Sequence, residues 1–218
     1  MGSEMCIRDR FSTCGPYCAA ALFHEGDVIT ALHEELTRGQ AERLMPMIDE
    51  LFAKAGASYQ DLDALGVGVG PGNFTGIRIC VSAARGLALG LGIPAVGVSM
   101  MEAMAFGHSG PVLASITAGR DNLYLQRFGP EAARGPELTN MQALEDWKVP
   151  KLTCIGNREA EIAAQIGATP GPAPYDPASA IARIAATRWQ DNPPRPVPLY
   201  LRPADAAPAR DTAPTFLS

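Results

Sequence analysis

Apolar and polar positions divide the chain into short segments whose periods change along its length. Residues 17–23 and 28–36 are apolar stretches joined through Glu25, Gly26 and Asp27. That spacing predicts two strands and a tight hairpin turn. From residue 40 to 55, Leu44, Ile48, Leu51 and Ala55 recur three and four apart, which predicts a helix that Gly56 stops. Met45, Met47 and Phe52 widen its apolar stripe. A stripe that wide fits either deeper burial within the chain or a face shared with a partner helix. Residues 65–69 read as a buried strand, followed by a glycine-rich loop and a helix reaching about residue 91. A strand at 95–98, a helix at 99–106 and strands at 112–117 and 123–128 come next. A hairpin followed by strand and helix alternation predicts a mixed α/β sheet.

Later segments carry weaker periodicity. A strand at 152–155 and helices at 159–166 and 178–190 are expected, with proline-rich connections at 170–177 and an extended tail from 193 to 218. Residues 1–10 follow neither period, so they are expected to be a non-native or disordered start, with the first lobe spanning 11–107 and a smaller second lobe 108–218. No internal sequence repeat is visible.

Composition narrows the class. The chain has 218 residues, 47% hydrophobic and 19% charged, an ordinary globular balance. A formal net charge of -5 lacks the basic footprint of a protein that grips a phosphate backbone alone, so any nucleic acid is expected to be held mainly by a partner. Cys6, Cys14, Cys18, Cys80 and Cys154 are odd in number and lack metal-type spacing. They read as reduced, semi-buried residues of a cytoplasmic protein. No apolar run reaches the roughly 20 residues that span a bilayer. Arg8 and Arg10 before residues 17–23 mimic a signal peptide only faintly.

The loop Gly70-Pro71-Gly72-Asn73-Phe74-Thr75-Gly76-Ile77-Arg78 is the most informative segment. Glycines between a buried strand and a helix let backbone amides approach an anion at the helix's positive end. Gly70, Gly72, Asn73, Thr75, Gly76 and Arg78 are therefore candidates for a nucleotide or anion loop. The spacing is neither a P-loop nor G-x-G-x-x-G, and a tight turn without ligand fits it equally. In the following helix Ser82, Gly86 and Gly90 recur at four-residue steps beside Ala83. Small residues on one face permit close packing, either on the sheet or against a second subunit.

Residues 68–105, GVGPGNFTGIRICVSAARGLALGLGIPAVGVSMMEAMA, resemble the central signature of the TsaB (YeaZ) family. QAERLMPMIDELF before them and PLYLRPADAA at 198–207 resemble that family too. The resemblance implies an α/β, actin-like, Hsp70-like and acetate-kinase-like bilobal fold with a ribonuclease H-like motif and a reduced second lobe. It further implies a non-catalytic scaffold or activator, without catalytic residues or a bound cofactor of its own. Its partners would be a TsaD-like catalytic paralogue that carries the metal and a TsaE-like ATPase, the complex using ATP and magnesium. Together they would place threonylcarbamoyl on the adenosine next to the anticodon of tRNAs reading codons that start with A, with tRNA held only through the complex. A homodimer is implied when the paralogue is missing. Leu44, Met45, Ile48, Phe52, Ser82, Ala83, Gly86 and Gly90 are the expected subunit interface.

Two departures qualify the chemistry. Where the catalytic paralogue carries two metal-binding histidines four residues apart, this chain has Met100 and Met104, and neutral thioethers are poor ligands for a hard or borderline divalent ion. Where the family's first strand ends in an Asp-Thr-Ser-like triplet, this chain has Ser12, Thr13 and Cys14. His24, His33 and His108 share no metal spacing, and Glu34, Glu35, Glu42, Asp61 and Asp63 read as solvated charges. An ATP-dependent transferase or kinase-like enzyme of the same fold is the alternative that the glycine loop leaves open.

Overall fold

A computed structural model describes residues 7–119, 121–130 and 133–202. The first six residues and positions 203–218, including the end of the PLYLRPADAA stretch and most of the expected tail, lie outside them. Strands β1 (Ile7–Ser12), β2 (Tyr17–His24), β3 (Asp27–Glu35), β4 (Leu62–Gly68) and β5 (Ala95–Val98) form one sheet in the order β3-β2-β1-β4-β5. β1 pairs antiparallel with β2 and parallel with β4. Residues 7–10, expected to be outside the domain, thus form the start of the central strand. Strand pairing is a backbone property, so a strand can form here without an apolar period in the sequence.

The second sheet contains β6 (Val112–Gly119), β7 (Asn122–Phe128), β8 (Arg134–Asn140), β9 (Thr153–Gly156) and β10 (Thr169–Pro170), ordered β10-β9-β6-β7-β8. β6 and β7, and β7 and β8, are antiparallel, whereas β6 and β9, and β9 and β10, are parallel. Both sheets therefore share one strand topology, a repeat in structure that the sequence conceals. The second is reduced: α1 (Gln40–Ala55) connects β3 to β4, but only two single-turn 3-10 segments lie between β8 and β9. The helices α2 (Phe74–Leu91) and α4 (Glu159–Ile166) occupy matching places after β4 and β9, while α3 (Met100–Ala105) and α5 (Pro177–Ala186) follow β5 and β10.

The hairpin forms as its turn chemistry dictates, with Glu25 and Gly26 both at positive φ. In β2 six consecutive residues are buried, which requires cover on both faces of the sheet. Ala19 and Ala21 pack with Ala178 of α5, while Cys18, Ala20 and Leu22 join the main core with Leu44, Ile48 and Leu51 of α1. Burying each large aliphatic side chain in that core is worth about 1.5–3 kcal/mol. Because Ala180, Ile181, Ile184 and Ala185 belong to this core, the chain returns to the first lobe after β10. The expected boundary that assigned all of 108–218 to the second lobe is corrected accordingly. A separate core around Trp147 holds the second sheet to α4, and Met101 of α3 packs with Val112, Ala114 and Ile155 between the lobes.

Candidate functional site

β4 delivers the glycine loop against the turn that follows β1. The Asn73 amide donates to the Cys14 carbonyl at 2.7 Å, and the Thr13 hydroxyl donates to the Gly76 carbonyl at 2.6 Å. A Cβ at Gly72 would overlap the Cys14 carbonyl oxygen, and one at Gly76 the Thr13 carbonyl oxygen. These two glycines therefore admit another backbone rather than lying open toward a ligand. Asn73 caps α2, its Oδ1 accepting from the amides of Thr75 at 3.0 Å and Gly76 at 3.2 Å. The helix's positive end thus has an acceptor from its own chain.

Of the other loop candidates, Gly70 is buried and its carbonyl accepts from the Met100 amide at 2.9 Å. Arg78 is engaged by aromatic rings. Its guanidinium lies 3.9 Å from the Phe74 ring centroid and its Nε donates to the Tyr200 hydroxyl at 3.0 Å. Phe74 and Tyr200 rings are 4.8 Å apart, so the three side chains stack on the surface. Tyr200 stands in a flanking motif of the sequence, but nothing there signals this contact, which spans 122 residues.

The expected interface residues separate into two groups. Leu44, Ile48 and Phe52 are buried within the first lobe and are corrected to core residues, since their stripe faces β2. Met45, Ser82, Gly86 and Gly90 are exposed and Ala83 is half-buried. α2 buries Gly76, Ile77, Cys80, Val81 and Ala84, leaving Ser82, Arg85, Gly86, Leu89 and Gly90 on its outer face. Leu89, absent from the sequence candidates, is 80% exposed. Its position three residues after Gly86 was the available signal. Among the described residues, nothing beyond the helix's own backbone lies within 4 Å of a Cβ built at Gly86 or Gly90. A groove of about 500 Å³ runs beside this face, between Arg85, Leu89 and Ile93 on one side and Pro193, Arg195 and Pro196 on the other. Leu199 continues that segment, its amide donating to the Val69 carbonyl at 2.7 Å. α2 is also long and apolar enough to cross a membrane by length and composition, but here it packs on β4 and β1.

The methionines at the paralogue's histidine positions diverge. Met100 Sδ accepts from the buried Ser12 hydroxyl at 3.5 Å, whereas Met104 Sδ would lie 3.2 Å from a Cβ built at Gly156 of the second lobe. That pair does not fit a divalent metal. Among the described residues no group of three or more His, Cys, Asp or Glu is placed to hold one. His33 pairs with Glu35, and His108 meets the Pro172 carbonyl.

Comparison with known proteins defines the class. The family described as TsaD, tRNA N6-adenosine threonylcarbamoyltransferase, matches residues 32–172. An uncharacterised Mycobacterium tuberculosis protein, Rv3421c, is 35% identical over 199 residues, 90% of this chain and 92% of its own length. The tRNA threonylcarbamoyladenosine biosynthesis protein TsaB of Escherichia coli is 39% identical over 116 residues, covering 51% of this chain and 50% of that protein. YeaZ from Pseudomonas aeruginosa superposes with a TM-score of 0.74 at 26% identity, covering 90% of this chain and all of that one. The structure of an (R)-2-hydroxyglutaryl-CoA dehydratase component from Acidaminococcus fermentans, at 8% identity and a TM-score of 0.51, shares the fold alone. The chain belongs to the TsaB (YeaZ) family, built on the actin-like fold.

Proposed function

We propose that this chain is a non-catalytic partner subunit in the biosynthesis of threonylcarbamoyladenosine in tRNA. In this reading it holds and activates a TsaD-like catalytic paralogue, which acts with a TsaE-like ATPase on the adenosine beside the anticodon of tRNAs reading codons that start with A. The tRNA, the nucleotide and any catalytic metal are engaged by the complex, with a second copy of this chain taking the paralogue's place when it is missing.

The observation that carries the reading is the outer face of α2. Gly86 and Gly90 each weaken a helix interior by about 1 kcal/mol relative to alanine, and no neighbour among the described residues uses the space they leave. Closely packed against a second helix, the same face would bury Leu89 and, from α1, Met45. A kinase-like or ATP-dependent transferase needs free amides at the glycine loop, whereas those of Thr75 and Gly76 are engaged by Asn73.

The test is complex formation with the TsaD-like paralogue of the same genome, followed by light scattering after size exclusion. The intact chain is expected to form a defined hetero-oligomer, and Gly86→Glu to weaken it at least tenfold while leaving the monomer folded. Undiminished assembly by a Gly86→Glu, Met45→Glu double variant contradicts the interface.

A further inference from the structure

Cys14, in the turn after β1, and Cys80, on the buried face of α2, place their sulfurs 3.9 Å apart. Both thiols are buried, and their Sγ atoms lie 3.3 and 3.2 Å from the same Gly68 carbonyl oxygen. Gly68 keeps the space beside them open, because a Cβ there would sit 3.1 Å from Cys14 Sγ. Cys18 and Cys154 are also buried and free. We propose that Cys14 and Cys80 form a redox-active dithiol that hydrogen peroxide closes reversibly to a disulfide, pinning the turn after β1 to α2.

The geometry supports a short movement. A disulfide brings the sulfurs to about 2.05 Å, so the two must approach by about 2 Å, within the reach of side-chain rotation and a small backbone adjustment. The electrostatics assign the roles. Contact with Cys14 holds the Cys80 thiol down to about 7, while that same contact and then burial push Cys14 well up. Cys80 is thus the nucleophile and Cys14 the resolving thiol. The Cys80 thiolate attacks one peroxide oxygen, the O–O bond breaks, and the departing hydroxide takes a proton to leave as water. Cys14 sulfur then attacks the sulfur of the resulting sulfenic acid. The S–O bond breaks and hydroxide leaves with the Cys14 proton as a second water. The two sulfurs lose two electrons in total and peroxide gains them. Peroxide is close to water in size and reaches the buried pair through local opening.

The inference stands apart from the scaffold role and is tested on the full chain alone. The protein is treated with a tenfold excess of hydrogen peroxide, quenched with catalase, alkylated and digested with trypsin without reductant. The expected product has lost two hydrogens and joins the peptide 79–85 to the peptide 11–38, with dithiothreitol restoring both free thiols. Because 11–38 also contains Cys18, a Cys18→Ala variant must give the same link at undiminished yield. The oxidised chain is expected to melt at a higher temperature than the reduced one, since the link closes across 66 residues. Both thiols remaining reduced, a sulfinic acid on Cys80 without a link, or a link through Cys18 would each overturn the proposal.

Discussion

The amide of Asn73 donates to the carbonyl of Cys14 at 2.7 Å, so the loop after β4 and the turn after β1 meet backbone to backbone. Glycines that look like a ligand cradle in the sequence are instead spent on this junction. Alanine at Gly76 forces its methyl against the Thr13 carbonyl, which cannot rotate aside. Overpacking of this kind costs about 1–3 kcal/mol. Alanine at Gly86, ten residues further along the same helix, meets nothing among the described residues and is expected to stabilise by about 1 kcal/mol. Urea denaturation of Gly76→Ala and Gly86→Ala should give shifts of opposite sign.

Asn73 itself is the cap of α2. Asn73→Ala is expected to lose about 0.5–2 kcal/mol, and Asn73→Asp to retain the cap because a carboxylate accepts from the same two amides and suits the helix dipole. Equal midpoints for Asn73→Ala and the intact chain would show that the cap contributes nothing.

The division of α1 into core and surface is testable by contrast. Ile48 and Leu44 are buried, so either one changed to alanine should cost about 2–5 kcal/mol through transfer and cavity terms. Met45, 37% exposed, should tolerate glutamate with a change of about 0.5 kcal/mol or less in the isolated chain. Its effect is expected in partner binding instead.

Alkaline stability should fall. Burial pushes the thiols of Cys18 and Cys154 up to about 11 from the ordinary 9.0, and it also raises the Tyr17 phenol. Above pH 9 the unfolded chain releases thiol protons that the folded chain keeps. Stability present below pH 9 is therefore lost progressively toward pH 11. Cys154→Ala should flatten that decline, measured by denaturation at pH 8 and pH 10.5; an unchanged slope would contradict the assignment.

Much of this fold was legible because its elements carry strong local periods. The helix at 40–55 and its glycine stop were readable to the residue, whereas the hairpin turn, expected across Glu25, Gly26 and Asp27, spans only Glu25 and Gly26 because Asp27 already pairs in β3. β8 was missed because Arg134–Asn140 alternates with little apolar content on a half-exposed edge. The return of α5 to the first sheet was hidden because amphipathic periodicity says which face is buried, never against which sheet. At the site, the glycine loop was found but its occupant was not. The packing of Thr13 and Cys14 on Gly76 and Gly72 joins segments about sixty residues apart, and no spacing rule reports such a contact. Likewise Leu44, Ile48 and Phe52 looked available to a partner until β2 was seen to cover them.

The most direct measurement is threonylcarbamoyl transfer to unmodified tRNA by the TsaD-like paralogue and the TsaE-like ATPase, with this chain present, absent or alone. Transfer only in the complete mixture, and its loss with Gly86→Glu, is the predicted result. Transfer by this chain alone, or undiminished transfer without it, would contradict the account of a non-catalytic partner subunit.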